Sequence, residues 1–71
     1  MVLSENDVLD NYYANMACGV GKETAHFLTA KHIDFCISMA ERDEYYAGCV
    51  DKVRNLAVFW KEWGNVHVHK K

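Results

Sequence analysis

The longest apolar pattern in the chain runs from Ala25 to Ala40 and predicts the helix around which the others pack. At about 100° per residue, its apolar side chains spread over two adjoining sides of a helix rather than over one stripe. The first side consists of Ala25, Leu28, Phe35, Cys36 and Met39. The second side consists of Ala30, Ile33, Ile37 and Ala40. Because one neighbour cannot cover so wide an arc, we expect the first helix or a second copy of the chain to cover the second side.

A first helix is predicted at about 5–18. Ser4 offers a hydroxyl N-cap, and Glu5 and Asp7 place acidic groups at the positive end of the helix dipole. Gly19 suits the position after the helix, where the backbone takes a positive φ. The apolar side chains of this segment share one face, which consists of Val8, Leu9, Tyr12, Tyr13, Met16, Ala17 and Val20.

Two further helices are predicted at about 22–41 and 44–63, separated by charged residues that suit a turn. If the chain folds back near Arg42 and Asp43, facing residues have numbers that sum to about 85. Every resulting pair joins apolar positions, and small residues oppose large ones. The pairs are Met39–Tyr46, Cys36–Cys49, Phe35–Val50, His32–Val53, Leu28–Ala57 and Ala25–Trp60. An antiparallel hairpin is therefore favoured over one continuous helix, because very long helices are uncommon in small domains.

The third helix has a single apolar stripe, and Gly64 is predicted to end it. The tail, residues 65–71, alternates apolar and polar residues but has no strand to pair with, so we expect it to be short, extended and flexible. The stripe consists of Tyr45, Tyr46, Cys49, Val50, Val53, Leu56, Ala57, Trp60 and Trp63. The sequence as a whole predicts a single all-α domain over residues 1–71.

The composition changes this picture in two ways. A hydrophobic fraction of 51% is high for 71 residues, which suggests that some apolar surface is meant for another protein or for a second copy in a homodimer. A net charge of −2 makes general nucleic-acid binding unfavourable.

The sequence offers no signal peptide and no membrane span, and its three cysteines do not suit a disulfide framework. We therefore expect a cytoplasmic protein with reduced thiols.

Few residues suggest chemistry. Gly19 to Lys22 resembles part of a phosphate-binding loop, but Met16 replaces its first glycine and Glu23 its serine or threonine. His67 and His69 are interpreted as solvated tail residues, because a structural metal site needs four convergent ligands. No ordered nucleophile, base and acid are recognisable. We therefore expect no enzymatic activity, no cofactor and no metal.

Cys36 and Cys49 are predicted to be neighbours in the hairpin. In a reducing compartment they serve as small core residues that let helices approach closely. A disulfide between them, acting as a redox switch, is the alternative, as is a metal-responsive switch through His67 and His69.

Large apolar residues outside the main stripes or at their margins are the most informative feature for function. Trp and Tyr are typical anchors of protein interfaces, so these outliers predict a partner-binding surface. The residues are Phe27, Tyr45, Val58, Phe59 and Trp63. The alternative is that they close over one another in the core of the monomer.

These observations favour a small non-enzymatic protein-binding module that acts as an inhibitor or adaptor by occupying a surface of a partner protein. In size, acidity and lack of proline the chain resembles accessory proteins of phages and mobile elements, including inhibitors of host defence. The alternative is a small dimeric helical transcription regulator that binds DNA through Lys52, Arg54 and Lys61, together with Lys70 and Lys71 of the tail. The neighbouring acids and the net charge argue against that alternative.

Overall fold

The computed structural model describes residues 2–69, apart from the side chains of Tyr45 and Tyr46. Over these residues the chain forms α1 (Glu5–Ala17), α2 (Lys22–Arg42), a 3-10 segment (Glu44–Cys49) and α3 (Val50–His67). The second and third helices form an antiparallel hairpin, and α1 packs mainly against α2. The predicted all-α fold with a helical hairpin is confirmed, and residues 2–69 contain no β-strand.

The predicted ends of α1 are confirmed. The Ser4 hydroxyl accepts a hydrogen bond from the Asp7 backbone N–H at 3.2 Å, which satisfies one of the free donors of the first turn. The Asp7 carboxylate in turn accepts a bond from the Leu3 N–H at 3.0 Å. The bonds from Leu3 and Ser4 lower the pKa of Asp7 below its ordinary value. At the other end, Gly19 takes a φ of +93°, as glycine readily does.

The buried side of α2 differs from the prediction. It consists mainly of small side chains, namely Ala25, Thr29, Ile33, Cys36 and Ala40. Leu28, Phe35 and Met39, which were predicted to face α3, are instead exposed to 41%, 61% and 39%. Small residues allow α1 and α3 to approach α2 closely, and the larger side chains then lie outside the contact.

Part of the second predicted side of α2 faces α3 rather than α1. Thr29 faces α1, where it contacts Asn11 and Asn15. Ala30 and Ile33, which were assigned to α1 or to a second copy, line a cleft shared with α3. Within that second predicted side, Ile33 and Ala40 are buried inside the single chain, whereas Ala30 and Ile37 are partly buried. A second copy is therefore not needed to cover this side.

The predicted register of the hairpin agrees with the contact at the end away from the turn. There Trp60 packs against His26, one residue from its predicted neighbour Ala25. Near the turn, the long, exposed side chains of Arg54 and Glu41 form an ion pair at 2.6 Å. Residues 44–49 form the 3-10 segment, which rises about 2.0 Å per residue instead of about 1.5 Å, and α3 begins only at Val50.

Gly64 does not end α3, contrary to the prediction. The helix continues to His67, so residues 65–67 of the predicted extended tail are helical. Val68 then closes the helix by donating its N–H to the Gly64 carbonyl at 2.9 Å, and its side chain packs against the core. A side chain on Gly64 would collide with the His26 ring. Glycine is therefore needed at this position because the His26 ring packs closely against it, and not because the chain turns there.

The core lies between the three helices and includes one polar group. Its apolar members are Val2, Val8, Tyr12, Ala25, Ile33, Cys36, Val53, Leu56 and Trp60. The buried Thr29 hydroxyl donates to Asn11 Oδ1 at 3.0 Å and accepts from Asn15 Nδ2 at 3.2 Å. These bonds offset the cost of removing the hydroxyl from water.

Candidate functional site

A line of large apolar side chains runs along the outside of α2. Leu28, Phe35 and Met39 are separated by seven and four residues, a spacing that places them on one side of a helix. All three are exposed, although the chain buries a core of its own beside them. We refer to these three residues as the α2 stripe. Large exposed apolar side chains on one side of a helix commonly mark a site of interaction with another protein.

A cleft between α2 and α3 lies on another side of the same helix. It encloses about 200 Å³ and is lined by Ala30 and Ile33 of α2 and by Ala57 and Trp60 of α3. His26, Asp34 and Lys61 complete its lining. Because two alanines face this space, the cleft is a gap left by small side chains.

Trp60 fastens α3 to the start of α2. Its indole Nε1 donates to the His26 carbonyl oxygen at 3.0 Å, and His26 Nε2 donates to the Trp60 carbonyl oxygen at 2.9 Å. The two rings stack with centroids 4.5 Å apart, and Trp63 stacks on Trp60 at 4.8 Å. The absence of a side chain at Gly64 leaves room for the His26 ring. This arrangement aligns the two helices and satisfies both ring N–H groups.

A second cavity of about 220 Å³ lies where α1, the first residue of α2 and the end of α3 meet. Its lining consists of Tyr12, Tyr13, Met16, Lys22, Trp63 and His67. Tyr12 is buried, and this burial raises the pKa of its phenol above the ordinary value of 10.0. Tyr13, by contrast, exposes most of its ring.

The residues predicted to bind a partner do not form one surface. Phe27 and Val58 are both exposed, at 57% and 58%. Phe59 and Trp63 are partly buried and pack against the core, as in the alternative interpretation. The side chain of Tyr45 lies outside the described part of the structure. The α2 stripe was assigned to the core from its sequence pattern, so its exposure was missed.

The remaining candidates are dispersed. Cys36 is buried with its sulfur 3.8 Å from His32 Nε2, and Cys18, Cys36 and Cys49 are all free thiols. Among residues 2–69, no three or more His, Cys, Asp or Glu side chains lie close enough together to hold a metal ion. Of the proposed DNA-binding bases, Arg54 is occupied by an ion pair with Glu41 at 2.6 Å, and Lys70 and Lys71 lie outside the described residues.

Comparisons of the chain with family models, with curated proteins and with solved structures found no match. None of the helices within residues 2–69 has both the length and the apolar composition needed to cross a membrane. A functional proposal therefore depends on the geometry of the surfaces described above.

Proposed function

We propose that this chain is a small non-enzymatic protein-binding module that presents the α2 stripe to a groove on a partner protein. The observation that carries the proposal is the exposure of Leu28, Phe35 and Met39 along one side of a helix. Helices that dock into grooves use apolar anchors at such helical spacings. Phe35 is the most exposed of the three and lies between the other two, so it is the central anchor.

The rest of α2 suits this role. Its inner side is fastened to α1 through Thr29 and to α3 through His26, so the helix is rigid before a partner arrives. A preorganised helix loses little conformational entropy on docking, which favours affinity. Such a module would act as an inhibitor or an adaptor by covering a surface of its partner.

A further element of the proposal follows from the sequence. The small size, the acidity and the free cysteines favour a cytoplasmic accessory protein of phage or mobile-element type, including an inhibitor of host defence. The exposure of the stripe also suits a homodimer, in which α2 of one copy packs against α2 of another. Measuring the mass of the purified 8.2 kDa chain in solution distinguishes a monomer from a dimer.

The test compares two phenylalanines on the same helix. Phe35 lies on the stripe and Phe27 lies off it, and their exposed fractions are nearly equal at 61% and 57%. We expect tagged Phe35→Ser to lose the host protein that the unchanged chain captures, while Phe27→Ser retains it. Circular dichroism of both variants should match that of the unchanged chain, because neither side chain is in the core.

Three outcomes would contradict this assignment. If Phe35→Ser, alone or with Leu28→Ser, leaves capture unchanged, the α2 stripe is not the binding surface. If only Phe27→Ser abolishes capture, the surface lies with the residues predicted from the sequence. If helicity is lost in Phe35→Ser, that side chain stabilises the fold and is not free for a partner.

A further inference from the structure

The cavity lined by Tyr13, Lys22 and His67 differs in chemistry from the apolar surfaces above. It is formed by all three helices, with three side chains from α1, one from α2 and two from α3. Its lining combines aromatic rings and a thioether with an ammonium group and an imidazole. We call it the three-helix cavity. Such a combination of apolar walls and a few polar groups is typical of small-molecule sites.

The charged group in the lining of the three-helix cavity is positive. Lys22 supplies an ammonium group, and the lining contains no Asp or Glu. No ion pair of Lys22 is present among the described residues. His67 adds an imidazole, which offers an N–H donor in either tautomer. An anionic group is therefore the polar partner that this cavity accommodates.

The aromatic part of the lining defines the rest of a ligand. The Tyr12 ring meets Tyr13 edge-on at 5.3 Å and Trp63 edge-on at 5.1 Å. Tyr13 also exposes most of its ring to solvent, and Met16 adds a polarizable thioether. Flat apolar groups pack favourably against such rings. The volume of about 220 Å³ is below the usual range of about 300–1,000 Å³, so the ligand has one or two rings.

We infer that the three-helix cavity binds a small aromatic carboxylate. Its carboxylate binds the Lys22 ammonium and the His67 N–H, and its ring packs against Tyr13 and Met16. The inference does not depend on the proposed protein-binding function, because no residue of the α2 stripe lines the cavity. The occupied cavity joins α1 to the end of α3, which otherwise make fewer mutual contacts than either makes with α2.

The test uses indole-3-acetate as the probe and its neutral amide, indole-3-acetamide, as the matched control. Titration into the ¹⁵N-labelled chain, followed by backbone and indole N–H shifts, should give saturable changes at Tyr13, Lys22, Trp63 and His67. Because an exposed charge pair contributes modestly to the binding free energy, Lys22→Gln should weaken indole-3-acetate binding about fivefold. The amide should bind more weakly than the acetate and should not respond to Lys22→Gln.

Lys61→Gln is the control variant, since it removes another exposed lysine, one that lines the other cleft. This variant should bind indole-3-acetate as the unchanged chain does. The inference is overturned if no saturable shift occurs up to about 10 mM probe, which corresponds to a negligible affinity. It is equally overturned if the amide binds as well as the acetate, or if Lys61→Gln weakens binding as much as Lys22→Gln does.

Failure of this test is separable from failure of the proposed function. Phe35→Ser should bind indole-3-acetate like the unchanged chain, and Lys22→Gln should capture the same host protein. If instead one variant abolishes both kinds of binding, its fold has changed, and Tyr13→Ser replaces Lys22→Gln as the cavity variant. Tyr13 is suitable because its ring is largely exposed.

Discussion

The two ends of the α2–α3 hairpin are held together by different kinds of contact. At the end away from the turn, His26 and Trp60 stack and exchange two hydrogen bonds between rings and backbone. At the turn end, one ion pair joins Glu41 to Arg54, with the Arg54 and Glu41 side chains 57% and 46% exposed. Buried aromatic packing stabilises proteins far more than an exposed ion pair does. The contacts between α2 and α3 are therefore strongest at the end of the hairpin away from the turn.

The turn end is also irregular in structure. The residues near the turn link the two helices and pack against α2. The 3-10 segment Glu44–Cys49 accommodates this link with poorer hydrogen-bond geometry than an α-helix. Four substitutions or titrations test this comparison, in order of decreasing expected effect.

Replacing Trp60 should have the largest effect. The side chain is buried, stacks on two rings and donates a hydrogen bond, so Trp60→Ala should lower the free energy of unfolding by about 3–5 kcal/mol. Urea denaturation monitored by circular dichroism measures the change. Val58→Ala on the same helix removes an exposed side chain and should change stability by less than about 0.5 kcal/mol. A loss below about 1 kcal/mol in Trp60→Ala would contradict the comparison.

Two glycine-to-alanine variants compare the ends directly. At Gly64 a Cβ atom would lie 2.2 Å from His26 Nε2, and the ring is held by stacking and a hydrogen bond. Gly64→Ala should therefore destabilise the chain by about 1–3 kcal/mol through overpacking.

Gly48, in the 3-10 segment, is the matched control. Among the described atoms outside its two chain neighbours, none lies within 4 Å of a Cβ built there, so Gly48→Ala should be neutral or slightly stabilising by about 0.5 kcal/mol. Thermal denaturation of the two variants measures both effects. Equal destabilisation by the two substitutions would show that the ends are not different.

Alkaline pH should weaken the end of the hairpin away from the turn, where the Tyr12 ring packs against Trp63. Burial raises the pKa of Tyr12 in the folded chain above 10.0, so the folded state holds the phenol proton more tightly than the unfolded state. The stability from this difference is fully present below about pH 10 and is lost as pH rises through the folded pKa. We expect the melting temperature to fall above pH 10 by more in the unchanged chain than in Tyr12→Phe. Identical pH profiles would contradict the role of Tyr12 burial.

Breaking the ion pair at the turn should have the smallest effect. Glu41 and Arg54 are both exposed, so Arg54→Gln should cost at most about 1 kcal/mol. A double-mutant cycle with Glu41→Gln isolates the pair from other effects of the substitutions. A coupling energy above about 2 kcal/mol would show that the turn end is held as firmly as the other end.

The sequence predicted the number and order of the helices and the limits of α1 and α2, because their caps and apolar periods are local signals. Ser4 and Gly19 marked the ends of α1 correctly. Gly64 was misleading, since glycine permits both a turn and close packing, and only the approach of His26 decides between them. The side of α2 that faces the core was also mispredicted, because Leu28 and Phe35 are more apolar than the small residues that are buried.

The surface residues could be predicted only in part. Phe27 and Val58 stand among polar neighbours, so their exposure follows from the helical pattern. Phe59 and Trp63 are close to the apolar stripe of α3, and their partial burial depends on how α1 and α3 meet. The three-helix cavity joins residues far apart in the chain, such as Tyr13 and His67, which no local pattern relates.

The polar contact inside the core has a consequence for how the helices are positioned along their axes. Apolar surfaces remain attractive when one helix slides past another, whereas hydrogen bonds require particular atoms to meet. Sliding α1 by one turn, about 5.4 Å, would separate Asn11 and Asn15 from Thr29 and leave its hydroxyl buried without a partner. The hydrogen bonds among these three uncharged side chains therefore select one lengthwise alignment of α1 on α2. The small buried residues of α2 would otherwise permit several alignments.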